Sequence, residues 1–473
     1  MLFPTVEFGL FFVTVLLISW CLYRFNGLHK LFLLIASYIF YGFWNWSYVP
    51  LLFGVSLFSG LIAQRIQASS SRKPRKAWLT FGIVACVATL GYYKYASFIF
   101  TIVLEAWACV GRVPRISIPS PMLPLGVSFF VFHAISLMMD AYRGKLKQKV
   151  RLGDALLYVA FFPQLIAGPI LRASTFMPQL SAPRNPAAIR INRAFLLIVA
   201  GLFKKVVISN LLATRLVEQV FAAPQMFSRG DVLLAVYGYG AQIYCDFSGY
   251  TDIAIGCAML LGYRFPRNFN APYTATNPQE FWRRWHISLS NWLRDYLYIP
   301  LGGSRGTAAR TCVNLMITML LGGLWHGAGW TFVAWGALHG FYLIAHRVWS
   351  SVEWTPLVRM RQTVAWRWAA RALLFHAVCL GWVFFRASSF DIAFALLRRL
   401  AVPGAVTLAS VPVMLALFIG LEGQYQPLRW RRALELELRC WPALLRGAAF
   451  AAAVSAVELL GPSGVAPFIY FRF

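Results

Sequence analysis

Residues 31–64 read LFLLIASYIFYGFWNWSYVPLLFGVSLFSGLIAQ, with no Asp, Glu, Lys or Arg among them. A helix crossing the hydrocarbon core of a bilayer needs about 20 apolar residues. This run is too long for one crossing. It is punctuated at Trp44-Asn45-Trp46-Ser47-Tyr48-Val49-Pro50 by aromatic, polar and proline residues. Tryptophan and tyrosine gather where lipid meets water, and proline is tolerated only in the first turn of a helix. The stretch therefore predicts two membrane helices joined by an interfacial turn, and with them a polytopic membrane protein.

The same pattern extends in both directions. Residues 116–139, 311–346 and 400–421 also carry no formal charge. A first helix is expected over Val6–Tyr23. Further membrane segments centre on 77–95, 123–141, 155–171, 194–220, 232–262, 311–326, 329–346, 366–386, 407–421 and 443–460. The reading is an all-α polytopic fold of about 11–13 membrane helices. It occupies residues 1–473 as a single integral-membrane domain.

Composition agrees. Of 473 residues, 59% are hydrophobic and 13% charged, about half the charged fraction of a soluble domain. An ordinary soluble enzyme and a disordered chain are both excluded. The net charge of +28, from 44 Lys+Arg against 16 Asp+Glu, would fit a nucleic-acid binder. Such proteins keep water-soluble surfaces, whereas here the basic residues punctuate apolar runs, so no nucleic-acid partner is expected.

The basic loops orient the chain. Arg24 and Lys30 flank one connection; Arg65, Arg72, Lys73, Arg75 and Lys76 crowd another; Arg143, Lys145, Lys147, Lys149 and Arg151 crowd a third. The turn at 45–49 is uncharged. The positive-inside rule then puts the N-terminus outside and these loops in the cytoplasm. Residues 77–110 must in that case cross once, with the remainder interfacial. The cysteines at 21, 86, 109, 245, 257, 312, 379 and 440 are scattered without a CxxC pair, and read as small buried hydrophobes. The first 25 residues lack the basic start and cleavage site of a signal peptide. No tandem repeat, Walker motif, GxGxxG or HExxH spacing occurs, so no metal is expected.

Chemistry concentrates in the middle of the chain. Asn277-Pro278-Gln279-Glu280 has the form of a capped helix start, and Pro300 with Gly302-Gly303 marks a stop near Tyr298. At 100° per residue, Trp282, Trp285, His286, Leu289, Trp292, Leu293, Tyr296 and Leu297 share an arc of roughly 140°. Arg283, Arg284, Asn291, Arg294 and Asp295 lie opposite. Such a helix is too charged to span lipid and belongs along the interface or in a protein cavity. His286 is the titratable group on the apolar arc. It is either a structural histidine bonded to a backbone carbonyl or a functional one, and spacing leaves both readings open.

Leu320-Leu321-Gly322-Gly323-Leu324-Trp325-His326-Gly327-Ala328-Gly329 packs four glycines into eight positions. A regular helix is costly there; a break, or close backbone approach to something bound, is expected. His326 falls inside that break. A low-dielectric setting favours neutral imidazole, the form that accepts a proton from a hydroxyl, and polar groups at membrane depth mark functional sites. Packing glycines beside a hydrogen-bonded histidine is the alternative. His339 is placed to line the same cavity, and His346, beside Arg347, to lie at the interface. Asp246 and Asp252, in apolar surroundings, need partners. Arginines of the basic helix are the candidates, and a structural role is preferred. Ser248 is a weak nucleophile candidate. His133 is a further membrane-depth histidine, and Gly168-Pro169 marks a broken or re-entrant helix.

Four blocks resemble the membrane-bound O-acyltransferase (MBOAT) family: DFSGYTDIAIG (246–256), FWRRWHISLSNWLRDYLYIPLGG (281–303), LLGGLWHGAGWTFVAWGALHG (320–340) and FIYFRF (468–473). The most similar branch is that of the bacterial alginate O-acetyltransferase membrane subunit and related polysaccharide O-acetylation proteins. LPLGVSFFVFHAISLMMDAYRG (123–144), FFPQLIAGPILR (161–172) and LLIASYIFYGFWNW (33–46) extend the likeness to essentially the whole chain. RWHISL and WHG are shared with D-alanyl transfer proteins of Gram-positive walls, while LYIPLGG looks more like the polysaccharide branch. Arg472 departs from the usual FIYFQF ending without affecting the assignment. Residues after 350 match poorly, so the substrate does not carry over.

The resemblance implies a shell of membrane helices around a thinned centre, with a funnel or tunnel from the cytoplasm. It implies an O-acyltransferase of the bacterial inner membrane, O-acetylating an exopolysaccharide or cell-wall polymer. The donor substrate would be acetyl-CoA or another acyl thioester, with no tightly bound cofactor. His326 carries over as catalytic and His286 as the second functional histidine. Trp325, Trp285, Asn291, Arg283, Arg294, Asp246 and His133 are expected to bind substrate or donor or to line the tunnel. The implied partners are the lipid bilayer, a periplasmic SGNH-type acetyltransferase and a polymer-synthesis complex. The competing readings are D-alanyl transfer to a wall polymer and a transporter without acyl chemistry. A transporter would explain membrane histidines and broken helices, but not these blocks.

Overall fold

Asn26–Gly42 and Val49–Ala68 are helices joined by a 3-10 turn at Trp46–Tyr48. Asn45 caps that turn by accepting the Ser47 N–H at 2.9 Å, and Pro50 occupies the first turn of the second helix. The stretch thus folds as two helices and a turn, and of the two it is the second, within Trp46–Ala68, that is long and apolar enough to cross a membrane. The computed structural model describes residues 3–111, 121–425, 428–462 and 469. The FIYFRF block, Ile469 apart, lies outside them.

Six helices are long and apolar enough to cross a membrane among the described residues: Trp46–Ala68, Arg72–Cys109, Ile191–Ala222, Ala308–His326, Val364–Arg386 and Ala443–Leu460. Val6–Cys21, Val127–Tyr142 and Val411–Tyr425 are shorter apolar helices. No strand occurs among the described residues. The protein is an all-α, multi-pass membrane protein. Only 6% of the apolar window of Ala443–Leu460 is buried, with Leu444, Leu459 and Leu460 exposed. Apolar surface of that extent calls for lipid as its solvent. Arg72–Cys109 is one helical run with a π-helical turn at Gly91–Tyr95, so 77–110 passes as a single element. The cysteines are all free; Cys86, Cys245, Cys257 and Cys379 are buried, whereas Cys21, Cys109 and Cys440 are exposed on helices and do not serve as buried packing.

The other expected crossings are helical but broken or polar. Residues 155–171 divide into Leu152–Ala160, Phe162–Leu165 and a non-helical run before Ala173–Ser181. The break expected at Gly168-Pro169 is there, in the non-helical run, while Pro163 sits in the first turn of Phe162–Leu165, where its missing donor is tolerated. Residues 232–262 form the 32-residue helix Arg229–Leu260, whose acids and glycines keep it out of the strongly apolar set.

The chain divides into two compact units: Met1–Ile189 with Cys257–Phe265, and Arg190–Gly256 with Pro266–Phe473. In the first, every residue of Val127–Ala141 is buried. His133 sits in this helix with its ring edge-on to Tyr158 at 5.6 Å. Both of its ring nitrogens are buried without a hydrogen bond among the described residues.

In the second unit, Ile191–Leu202 crosses Arg229–Leu260 backbone to backbone. A Cβ on Gly249 would stand 2.7 Å from the Gly201 carbonyl oxygen, and one on Gly201 would stand 2.6 Å from that of Gly249. The crossing brings Lys204 and Lys205 to the acids. Lys204 pairs with Asp252 at 2.5 Å and donates to Ser248 at 3.0 Å. Lys205 pairs with Asp246, their side chains 1% and 3% exposed. The angular spacing fits: adjacent lysines diverge by about 100° and acids six positions apart by about 120°. Asp246 also accepts the Ser209 hydroxyl at 3.2 Å and the Ile469 N–H at 3.0 Å. The partners of Asp246 and Asp252 are therefore lysines of 194–220, not arginines of the basic helix. A second close crossing joins Ala308–His326 to Trp330–Ser351: a Cβ on Gly323 would fall 2.3 Å from the Phe332 carbonyl oxygen, and one on Gly336 would fall 2.5 Å from that of Met319.

Lys205→Met leaves Asp246 buried and uncompensated, and is expected to cost about 3–5 kcal/mol. The double variant Lys205→Met/Asp246→Leu should recover most of that loss. Thermal denaturation in detergent micelles measures both; additive losses would contradict a coupled pair.

Candidate functional site

The helix at Pro278 starts where its sequence places it. Asn277 Oδ1 accepts the Glu280 N–H at 2.8 Å. Glu280 Oε2 accepts the Thr276 N–H at 2.8 Å and the Thr276 hydroxyl at 2.9 Å, one residue further out than in a standard capping box. Arg284 reaches Glu280 Oε1 at 2.7 Å through Nη2. Burial alone would raise the Glu280 carboxyl. The Thr276 and Arg284 hydrogen bonds outweigh it and hold that carboxyl below its ordinary value.

The helix does not continue to Tyr298. Pro278–Arg284 ends, His286 turns left-handed at φ 40° and ψ 55°, and Ile287–Leu293 begins, followed by a π-helical turn at Arg294–Tyr298. The single apolar arc expected from 100° spacing is thus divided between separate short helices. The cause is tertiary. A loop at 268–270 pairs with the backbone on either side of the break: the Asn270 N–H donates to the Arg284 carbonyl at 2.9 Å, and the Ile287 N–H to the Asn268 carbonyl at 2.9 Å. Left-handed backbone costs a residue with a side chain about 1–2 kcal/mol, and such outliers cluster at functional sites.

The same loop sets the chemistry of the ring. His286 Nδ1 lies 3.2 Å from Asn268 Oδ1, which also accepts the Ser288 N–H at 3.1 Å and the Ser288 hydroxyl at 2.9 Å. That atom is an acceptor, so Nδ1 carries the proton and Nε2 the lone pair. Nε2 is buried without a hydrogen-bond partner among the described residues. The ring stands edge-on to Phe247 at 4.5 Å and 5.9 Å from Trp325.

His326 is the last residue of Ala308–His326, and the break follows it at Gly327–Gly329. The expected break thus starts later than read, because Gly322 and Gly323 stay helical, with Gly323 used for close packing. His326 is 3% exposed. It lies 4.9 Å from Trp325, 4.9 Å from Trp335 and 5.1 Å from Phe385. Trp335 in turn lies 4.7 Å from His339, whose Nε2 has no partner among the described residues. His286, Trp325, His326, Trp335 and His339 therefore form a continuous file of rings in apolar surroundings. A neutral imidazole can accept a proton from a hydroxyl brought within hydrogen-bond reach of it; the intervening indoles supply packing, not proton relay.

The remaining expected residues are placed differently. Trp285 is 1% exposed and stacks on Phe281 at 5.7 Å with Trp382 at 5.0 Å, a packing environment. Asn291 is half-buried in Ile287–Leu293. Arg294 pairs with Asp295 at 2.8 Å, and Arg283 is exposed. Asp246 is held in the buried pair with Lys205, and His133 belongs to the first unit. Sequence reasoning missed Asn268, which touches His286 from 18 residues away. It also missed Trp335 and Phe385, whose helix positions carry no mark of their ring contacts.

The family model described as MBOAT, membrane-bound O-acyltransferase family, matches residues 11–389. The chain is 41% identical over 383 residues to a probable alginate O-acetylase AlgI of Azotobacter vinelandii, covering 81% of this chain and 74% of that protein. It is 37% identical over 408 residues to a peptidoglycan O-acetyltransferase of Helicobacter pylori, covering 81% and 75%. It is 28% identical over 356 residues to a teichoic acid D-alanyltransferase of Bacillus subtilis, covering 71% and 83%. The chain belongs to the membrane-bound O-acyltransferase family and is an acyltransferase.

The left-handed turn yields a stability order. Asparagine tolerates positive φ and a β-branched residue does not, so His286→Val should be about 1–2 kcal/mol less stable than His286→Asn. Thermal denaturation of the two purified variants gives the comparison, and equal midpoints would show that the turn is not held.

Proposed function

We propose that this membrane-bound O-acyltransferase takes acetyl from a cytoplasmic thioester and delivers it to hydroxyls of an extracellular or wall polymer. Delivery is direct or passes through a periplasmic SGNH-type partner within a polymer-synthesis complex. The setting is a bacterial inner membrane, and the chain works as one integral-membrane domain. The observation that carries the chemistry is His326, buried between tryptophan rings at a helix end. The names of the alginate and peptidoglycan relatives support an acetyl group and a glycan acceptor. The lower similarity to the D-alanyltransferase makes D-alanyl transfer the weaker reading, and family membership removes the ground for a transporter.

In this reading the acceptor hydroxyl attacks the thioester carbonyl while His326 takes its proton. The tetrahedral intermediate collapses with cleavage of the C–S bond, and the thiolate recovers the proton from the imidazolium. A helix C-terminus favours a transient cation by about 0.3–1 kcal/mol, and His326 stands at one. His286, with Nδ1–H committed to Asn268, offers its Nε2 lone pair to orient an acceptor hydroxyl. The backbone N–H groups of Gly327 and Ala328 are the candidate oxyanion donors, the Gly329 N–H being donated to the Gly327 carbonyl at 3.1 Å; such a contact is worth roughly 3–4 kcal/mol.

His326→Ala protein in liposomes, supplied with labelled acetyl-CoA inside and a glycan acceptor outside, should lose acetyl transfer by about 10²–10⁴-fold. Its elution profile and melting should stay unchanged. A variant with the wild-type rate would overturn the assignment of the base, and preferential use of a D-alanyl thioester would overturn the acetyl reading.

A further inference from the structure

Membrane topology accounts for the charge of the basic loop at 143–151. Its geometry goes further than topology requires. Gln67 bonds it in both directions, donating to the Gln148 carbonyl at 3.1 Å and accepting the Val150 N–H at 2.9 Å. Gln64 donates to the Val150 carbonyl at 2.8 Å, and Ser181 donates to Gln148 Oε1 at 2.9 Å. An insertion signal needs positive charge on one side of the membrane; it does not need that charge held in a fixed geometry.

The fixed loop forms one wall of a cavity of about 340 Å³ in the first unit, lined by Asn26, Lys30, Gln148, Lys149, Arg151, Asp154 and Ser181. Its one carboxylate, Asp154, is paired with Lys30 at 2.6 Å, their side chains 10% and 17% exposed. Lys149 and Arg151 have no acidic partner among the described residues. Two uncompensated cations therefore face a polar concavity whose remaining groups are amides and a hydroxyl. Arginine offers a planar fork that matches phosphate oxygens in pairs, and lysine a compact point charge. The volume lies at the small end of ligand sites, sufficient for a phosphate with its adjoining ester group.

We propose that this cavity binds a phosphate ester, with Lys149 and Arg151 neutralising the phosphate and Asn26, Gln148 and Ser181 meeting neighbouring hydroxyls. The positive-inside reading puts it on the cytoplasmic side. Two sources there carry that chemistry: the nucleotide phosphate of a soluble donor and the headgroup of an anionic phospholipid. The site is independent of the acyl-transfer reading, because its occupancy is measured without turnover.

The test uses full-length protein in nanodiscs of phosphatidylcholine, titrated with adenosine 3′,5′-bisphosphate by calorimetry. In parallel, nanodiscs containing phosphatidylglycerol are analysed by native mass spectrometry for retained lipid. The pocket variant is Lys149→Gln with Arg151→Gln. The control is Lys145→Gln with Lys147→Gln, which removes the same charge from the same loop but not from the cavity. The pocket variant should weaken one of the two probes about tenfold or more, as expected for lost hydrogen bonds to charged groups, and the control should leave it unchanged. Loss confined to the nucleotide identifies the soluble source, and loss confined to the lipid identifies the headgroup. Arg151→Lys, which keeps the charge but not the fork, should give an intermediate loss and guards against misfolding of the double variant. Failure of wild-type protein to bind either probe, or equal weakening by the control, would overturn the proposal.

Discussion

A polar group placed among membrane helices has no water to turn to, so each one must find a partner inside the protein or carry the cost of having none. That constraint organises the second unit. Lys205 and Asp246 are almost fully buried and answer one another, and Asp246 further accepts the Ile469 N–H, tying the chain end to the helix of the DFSGYTD block. Gly201 and Gly249 are what allow it: without side chains, the two helices approach until lysines on one reach acids on the other. In the first unit the same logic pairs Lys30 with Asp154.

Against that background the histidines stand out. His286 satisfies one nitrogen through Asn268 and leaves the other buried without a partner among the described residues. His339 likewise leaves Nε2 without one. A molecule that elsewhere matches its buried charges tolerates lone pairs in a sheath of Trp325, Trp335 and Phe385. It also tolerates a left-handed backbone at His286. A left-handed backbone sustained by hydrogen bonds from a separate loop is the kind of local cost that clusters at functional sites.

Much of the fold was legible because its signals are local. Charge-free runs set the helices, Asn277 and Pro278 set a helix start, and Gly168-Pro169 set a break, each acting within a few residues of itself. The site was legible in part. His326 and Trp325 could be singled out by their glycine-rich setting, and the family blocks pointed to both His326 and His286. The arc of 281–298 failed because a helical wheel assumes an unbroken axis, and the break at His286 depends on backbone partners at 268–270. The acids were assigned to arginines nearby in sequence, whereas their lysines lie inside a segment that reads as apolar.

The amino-acid sequence by itself determined that this chain is an all-α membrane protein, where several of its helices start, and which histidines sit far from charge. Those properties follow from hydrophobicity, capping and proline chemistry, which act over one or two turns. Only the tertiary structure decided that His326 closes a helix rather than floating in a loop, that His286 is turned left-handed with its tautomer set by Asn268, and that tryptophans join the three histidines into one file. Each of these depends on groups brought together from distant parts of the chain, and no local preference encodes such a meeting.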